Sequence, residues 1–188
     1  MNKIYRIPDI FLSLNHPKMN PLVIKMIDKI LNRRSIRNFA EKQVSPEILH
    51  NILEAGRNAP TATNVQPWHF IVIKTSEGKE ACMFNGFNNF ATKAAFVIIG
   101  IYLKSESIIE TYSLMDVTIA LQNMVIAGWV QGIGSCWMGA FNEPVLRKTL
   151  NIPDDARIVG GLAMGYAKEI PKSPPKKRLE EIIHTNIW

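Results

Sequence analysis

Apolar residues recur at helical spacing in two segments of the first third of the chain. The segment from Asn20 to Leu31 opens with an Asn-Pro start signal and continues with apolar residues at i, i+3, i+4, i+7 and i+8. A second start signal begins at Ser45, and its apolar stripe extends to Leu53. We predict two helices, the second of which stops at Gly56.

Two further segments are typical of strands, and a third is typical of a long helix. Trp68 to Lys74 is rich in β-branched and aromatic residues, and Ala94 to Tyr102 is almost continuously apolar, as in a strand buried on both faces. The segment from about Ser113 to Gln131 is apolar nearly all round, which predicts a central helix covered on every side. In so small a protein, such a helix calls for a partner subunit.

The remaining pattern completes an α+β domain. A turn at Gly132-Ile133-Gly134 is followed by a strand over Ser135 to Met138, a helix opened by Asn142-Glu143-Pro144, and a strand over Arg157 to Ala167. Both of the most apolar windows, Ala94 to Leu103 and Val117 to Val130, are shorter than the roughly 20 residues that cross a bilayer. We therefore expect core elements and no membrane spans.

Composition agrees with one globular domain over residues 20–188, preceded by an arm over residues 1–19. The chain has 188 residues, of which 47% are hydrophobic and 20% charged, and it contains no internal repeat. Cys82 and Cys136 are far apart and form no C-x-x-C pair, so neither a disulfide framework nor a metal site is expected. With no secretory signal at the start, the expected compartment is the cytoplasm.

The net charge of +6 is compatible with nucleic acid, an anionic membrane surface or a phosphorylated small molecule as partner. Residues 33–37 carry three positive charges, and Lys172 to Arg178 carry four. The charges of all other residues nearly cancel. The sequence thus has two clusters of basic residues that could bind one phosphate together.

Four segments could carry chemistry. Arg33, Arg34, Ser35 and Arg37 offer guanidinium forks and a hydroxyl that suit phosphate or planar carbonyl groups, although cations are also common at a solvated helix terminus. The polar loop within Ala59 to Trp68 could read the edge of a heteroaromatic ring, or be an ordinary turn.

The third segment is rich in glycine, and the fourth is rich in lysine. Gly132 to Phe141 is not a dinucleotide fingerprint, because its glycines follow a helix and precede a strand. Gly139 could let backbone amides approach a flat ligand, or serve a tight strand exit. Lys176-Lys177-Arg178 could close over a phosphate, or be a solvated basic tail.

Hydrolase and kinase chemistry lacks its usual motifs. The sequence has no H-x-x-x-H, no Walker A and no G-x-S-x-G. His69 has no partner at a diagnostic spacing, and Cys136 fits a buried small hydrophobe better than a reactive thiol. An acid/base or nucleophile constellation is not apparent.

Taken in order, the four segments resemble the nitroreductase family of flavoproteins, over about Asn20 to His184. The resemblance implies a three-layer α+β fold with a mostly antiparallel sheet, and an intertwined homodimer that binds FMN at the subunit interface. The fold would end in a C-terminal extension. NADH or NADPH would donate electrons, and a small electron-poor molecule such as a nitroaromatic or quinone would accept them by a ping-pong mechanism.

The resemblance also implies roles for the matching residues. Arg33, Ser35 and Arg37 would contact the FMN phosphate, ribityl chain and pyrimidine edge, with Arg34 contributing mainly backbone. The other subunit would supply a loop comprising Pro60, Thr61, Ala62, Thr63 and Asn64, with Gln66 nearby. Trp137, Met138 and Gly139 would lie along the flavin ring. Lys176 and Arg178 would bind the phosphate. Asn85 or Asn88 matches an asparagine near the flavin.

Other functions remain open at this stage. The same fold serves dehalogenases, flavin-fragmenting enzymes and heterocycle oxidases. A catalytically silent flavin-binding protein is a further alternative, as is an anion-binding module, although the basic segments lack the interleaved aromatics of nucleic-acid binders.

Overall fold

Four antiparallel strands form one open sheet in the computed structural model, which describes residues 27–188. The strands are β1 (Trp68–Ile73), β2 (Phe96–Leu103), β3 (Ile133–Met138) and β4 (Ala156–Tyr166). Their order across the sheet is β1-β2-β4-β3. The structure confirms the predicted α+β class with an antiparallel sheet.

Four helices pack around this sheet: α1 (Pro46–Arg57), α2 (Ser76–Glu80), α3 (Glu110–Val130) and α4 (Glu143–Leu150). Residues 27–31 are also helical and form the end of the first predicted helix. The predicted start of that helix and the arm over residues 1–19 lie outside the described residues. Helix α2 was not predicted, because five residues are too few to show a helical period.

The side chains of β2 alternate between two hydrophobic clusters, one on each face of the sheet. Val97 and Ile99 belong to the cluster that includes residues at α2 and on α4. Phe96 and Ile98 belong to the cluster formed with α1 and α3. The fold therefore has three layers, and β2 is buried on both faces as its apolar sequence predicts.

Capping side chains begin two helices where the sequence predicts them. The Ser45 hydroxyl accepts a hydrogen bond from the Ile48 N–H at 3.3 Å, and the Asn142 side chain accepts one from the Val145 N–H at 3.4 Å. The prediction that the first of these two helices, α1, stops at Gly56 was wrong, because α1 continues through Arg57.

Gly56 is needed for helix packing, not for helix termination. A Cβ atom at this position would lie 2.1 Å from Cε of Met124, a fully buried residue of α3. The missing side chain therefore lets α1 and α3 approach each other closely.

Helix α3 is covered on one side only by the described residues, 27–188. It is long and apolar enough to cross a membrane by length and composition, yet one face, including Val117, Leu121 and Met124, is fully buried in the domain. On the other face Met115 and Ile119 are exposed. The expectation of burial on every side is therefore not met by the described part of one chain.

Strand β3 begins two residues earlier than predicted. Only Gly132, with a φ of 85°, has the left-handed backbone that the tight turn after α3 requires. Gly134 is a strand residue whose backbone pairs with Gly165 of β4. A Cβ at Gly134 would lie 2.5 Å from Cγ1 of Ile36, so its lack of a side chain makes room for the segment that precedes α1.

Candidate functional site

The arginine segment over residues 33–37 lies against the edge strand β3. Ser35 forms a parallel bridge with Ser135, and the Ile36 N–H donates a hydrogen bond of 2.9 Å to the Ser135 carbonyl oxygen. Ile36 and Phe39 are buried and anchor the segment. The structure thus brings together two of the four segments chosen from the sequence, the arginines and β3.

Arg33 and Arg37 have guanidinium groups that form no ion pair or hydrogen bond within residues 27–188. The Arg37 guanidinium carbon lies 5.9 Å from the ring centroid of Phe90. Both arginines are near Cys136: burial raises the pKa of this thiol, and the charges of Arg37 and Arg33 oppose that rise. The two cations therefore converge beside β3 with their donors available.

Arg34 differs from its neighbours, because its guanidinium group bonds to the local backbone. Nη1 donates to the carbonyl oxygen of Arg33 at 2.9 Å. It also lies 3.5 Å from the carbonyl oxygen of Leu31, the last residue in the helical stretch. Arg34 thus acts as a helix-terminal cation, the structural alternative considered for the whole segment.

The end of β3 combines two anchored side chains with an open backbone position. The half-buried Trp137 donates from Nε1 to Oε1 of Gln122 on α3 at 3.3 Å. Met138 is buried in the core, so it can offer a ligand only its backbone. Gly139 is exposed, and a Cβ there would meet nothing within 4 Å. A flat group could therefore approach the backbone at Gly139.

The loop over Pro60 to Gln66 has an unusual backbone. Thr63, Asn64 and Gln66 have φ values of 49°, 60° and 53°, a left-handed conformation that is uncommon for residues other than glycine. All three are exposed. Such backbones cluster where the surrounding structure imposes them for binding or catalysis.

Buried Asp116 fixes this loop to α3. Its Oδ1 accepts a hydrogen bond of 3.2 Å from the Ala62 N–H, and the Thr61 hydroxyl accepts one of 3.3 Å from the Gln66 N–H. Among the described residues, the hydrogen bonds of this loop stay within it or go to α3, and none reaches the arginine segment. Sequence reasoning did not single out Asp116, although it is the one charged residue between Ser113 and Gln131.

The C-terminal basic residues lie in an exposed segment. Every residue from Lys168 to Trp188 is exposed. Arg178 pairs with Glu181, with 2.8 Å between Nε and Oε1. The contacts of Lys176 and Arg178 with a ligand therefore stay predictions.

Asn88, and not Asn85, is buried beside the segment that follows β3. Its buried side-chain amide donates to the carbonyl oxygens of Cys82 at 3.2 Å and Ala140 at 2.6 Å. This tether holds the segment that follows Gly139. Asn85 is exposed in the neighbouring turn.

Other reactive residues have structural explanations. Burial raises the pKa of the Cys82 thiol to about 12, so it is not a nucleophile near neutral pH. His69 pairs with Glu106 at 2.8 Å on the exposed surface. Within residues 27–188, no group of three His, Cys, Asp or Glu side chains could hold a metal ion.

Comparison with known proteins defines the family. The sequence profile of the nitroreductase family matches residues 30–83 and 83–166. A protein of Archaeoglobus fulgidus with the provisional name NADH dehydrogenase/NAD(P)H nitroreductase is 32% identical over 146 residues, covering 74% of this chain and 84% of the relative. The FMN reductase (NADPH) of Bacillus subtilis is 26% identical over 183 residues, covering 86% of this chain and 74% of that protein.

Solved structures agree with the sequence comparison. An FMN-dependent nitroreductase from Clostridium difficile superposes with a TM-score of 0.78 at 25% identity, covering 86% of this chain and 99% of that structure. The chain belongs to the nitroreductase family. Its three-layer α+β architecture is the fold of that family.

Proposed function

We propose that this protein is an FMN-dependent NAD(P)H oxidoreductase that reduces nitroaromatics, quinones or similar electron-poor acceptors. The observation that carries the proposal is the attachment of the arginine segment to β3 through Ile36 and Ser135. The attachment joins the arginine segment to the strand that ends just before Gly139, and the guanidinium groups of Arg33 and Arg37 form no ion pair within residues 27–188. The names of the B. subtilis and C. difficile proteins support FMN as the cofactor and NADPH as an electron donor.

The available donors fit FMN. A phosphate needs cations and hydroxyl donors, and Arg33, Ser35 and Arg37 supply them from one short segment. A flavin ring needs a flat surface without side-chain obstruction, which the backbone of Met138 and Gly139 offers. Lys176 and Arg178 would complete the phosphate site.

When bound, FMN would supply two-electron chemistry at N5, which serves both the oxidation of NAD(P)H and the reduction of the acceptor. The chain's own residues then need only bind and orient the reactants and tune the site electrostatically. Arg37, which the resemblance assigns to the pyrimidine edge, would stabilise negative charge there. Elevated thiol pKa values at Cys82 and Cys136 agree with this division of roles.

Two exposed apolar surfaces favour a homodimer. Tyr112, Met115 and Ile119 are spaced i, i+3 and i+7 on α3, are 40–47% exposed and form one stripe on its outer face. The C-terminal segment exposes Ile187 and Trp188, at 81% and 98%. Contiguous apolar surface of this kind is typical of an interface, and a second copy would cover it.

A dimer would also complete the site. The loop over Pro60 to Gln66 is fixed to α3, the helix that carries the exposed stripe, so the loop would lie at the border of such an interface. From there it could reach the arginine segment of the other copy, as the resemblance implies. A dimer would thus bring together the loop and the arginine segment, which share no hydrogen bond within residues 27–188 of one chain. We expect the dimer to be cytoplasmic.

Steady-state turnover tests the proposed activity. The protein is supplied with FMN, and NADH or NADPH oxidation is followed with a quinone, with a nitroaromatic and without an acceptor. We expect parallel-line kinetics in the two substrates, as a ping-pong mechanism requires, with one NAD(P)H consumed per two electrons accepted. Flavin-loaded protein that oxidises neither nucleotide with any acceptor would contradict the proposal.

A further inference from the structure

A cavity of about 520 Å³ opens at the end of the sheet where β1 ends and β2 begins. Its wall combines the segment over residues 40–44, the start of β2 and parts of α1 and α2. None of the residues proposed to bind FMN lines it. The volume falls within the range of about 300–1,000 Å³ that is typical of small-molecule sites.

Four lysines give this cavity a strong positive charge: Lys42, Lys74, Lys79 and Lys93. Among the described residues, one acidic residue, Glu41, joins them in the wall. Within residues 27–188, none of the four ammonium groups forms an ion pair. Four neighbouring cations with a single carboxylate create a local field that attracts anions.

Two of the lysines are held in position. The ammonium group of half-buried Lys79 donates a hydrogen bond of 3.0 Å to the carbonyl oxygen of Ala94. The ammonium group of Lys42 lies 4.2 Å from the ring centroid of Tyr166, a cation–π contact. Fixed cations lose less conformational entropy when they bind a ligand than freely rotating ones do.

The other part of the wall is apolar. Val44, Leu49 and Phe96 line it together with the small residues Ala94 and Ala95. A ligand that fills the cavity therefore needs both a multiply charged anionic end and an apolar or planar body. Lysine ammonium groups suit phosphate as point charges.

We propose that this cavity binds a phosphorylated organic molecule of the nucleoside diphosphate class. The lysines come from positions 42, 74, 79 and 93, so the charge concentration exists only in the folded chain. It is a third cluster of basic residues, in addition to the two that the sequence shows. The proposal does not depend on FMN binding or on oxidoreductase activity.

Calorimetric titration of the full chain, previously supplied with FMN, tests this site with ADP as probe. We expect saturable binding of one ADP per chain. The double variant Lys74→Gln/Lys93→Gln should weaken ADP binding at least tenfold. Both lysines are exposed, so the two substitutions should not disturb folding. The matched control Lys104→Gln/Lys148→Gln removes the same charge from exposed sites outside the cavity and should change affinity less than twofold.

Two further probes separate charge from shape. Inorganic pyrophosphate should bind more weakly than ADP, and adenosine should not saturate. Arg37→Ala should leave ADP affinity unchanged, which distinguishes this cavity from the proposed FMN site. The assignment is overturned if ADP binding does not saturate, if both double variants weaken it equally, or if pyrophosphate binds as tightly as ADP.

Discussion

Ile36 and Gly134 are in close contact where the arginine segment meets β3. Ile36 is fully buried, and a Cβ added at Gly134 would lie 2.5 Å from its Cγ1 atom and 2.9 Å from its Cβ atom. The branched side chain of Ile36 therefore occupies the space that a residue larger than glycine would need. This contact sets the distance between the guanidinium groups and the strand that they accompany.

Gly134→Ala should accordingly displace the arginine segment. Overpacking a filled core costs about 1–3 kcal/mol, so we expect the free energy of unfolding to fall by that amount in denaturant titrations. FMN affinity, measured by fluorescence titration, should fall as well, because Arg33 and Arg37 move with Ile36. Unchanged stability and affinity would contradict the packing at this contact.

Gly139→Ala is the matched control for that variant. A Cβ at Gly139 meets nothing within 4 Å, so stability should stay within about 0.5 kcal/mol of the wild type. FMN affinity should nevertheless fall, since the new methyl group would occupy the surface proposed for the flavin ring. Wild-type FMN affinity in a stable Gly139→Ala protein would show that the ring lies elsewhere.

Arg37→Ala should weaken FMN binding without unfolding the protein. Hydrogen bonds to charged groups contribute about 1.5–3 kcal/mol, so a loss of about 2 kcal/mol, or roughly thirtyfold in affinity, is expected in a fluorescence titration. Arg157→Ala removes an exposed arginine of β4 and serves as the control. Equal effects of the two substitutions would place the flavin away from the arginine segment.

Asp116→Ala should release the loop over Pro60 to Gln66 from α3. The substitution leaves the Ala62 N–H without its acceptor, which costs about 1–3 kcal/mol when the donor stays buried. Asp116→Asn keeps an oxygen at the same place and should restore most of the stability and FMN affinity. Thermal unfolding and flavin titration measure the two effects. Identical behaviour of the Ala and Asn variants would argue against the Ala62 hydrogen bond.

Ile119→Glu should prevent dimerisation. The substitution puts a carboxylate into the exposed apolar stripe of α3, where burial without a cation is strongly unfavourable. We expect the dimer dissociation constant, measured by sedimentation, to rise at least tenfold, and FMN retention to fall with it. Val145→Glu, at an exposed apolar position on α4, should remain dimeric. A monomeric wild-type protein would remove the basis of this prediction.

The sequence predicted the elements that are long or clearly capped. Caps at Ser45 and Asn142 are where the pattern placed them, and β2 is as buried as its composition suggests. Gly56 was misinterpreted, because a glycine near the end of a helical period can serve either a C-cap or a close helix contact. Only the position of Met124 distinguishes the two.

The candidate site could be predicted only in part, because contacts between distant segments leave no local pattern in the sequence. The arginine segment and β3 were identified separately, but their contact depends on the Ile36–Ser135 pairing, which no local pattern encodes. Asp116 and Gln122 are single polar residues in an apolar helix, so their partners are visible only in three dimensions. The lysine cavity combines positions more than 50 residues apart and had no signal in the sequence.

The visible spectrum of the purified protein, supplied with FMN and then titrated anaerobically with NADH or NADPH, tests the central claim most directly. We predict a yellow protein that retains one flavin per chain through gel filtration and is bleached by one equivalent of reduced nucleotide. Subsequent addition of a quinone should restore the colour. A protein that stays colourless after exposure to FMN, or a bound flavin that neither nucleotide bleaches, would contradict the account.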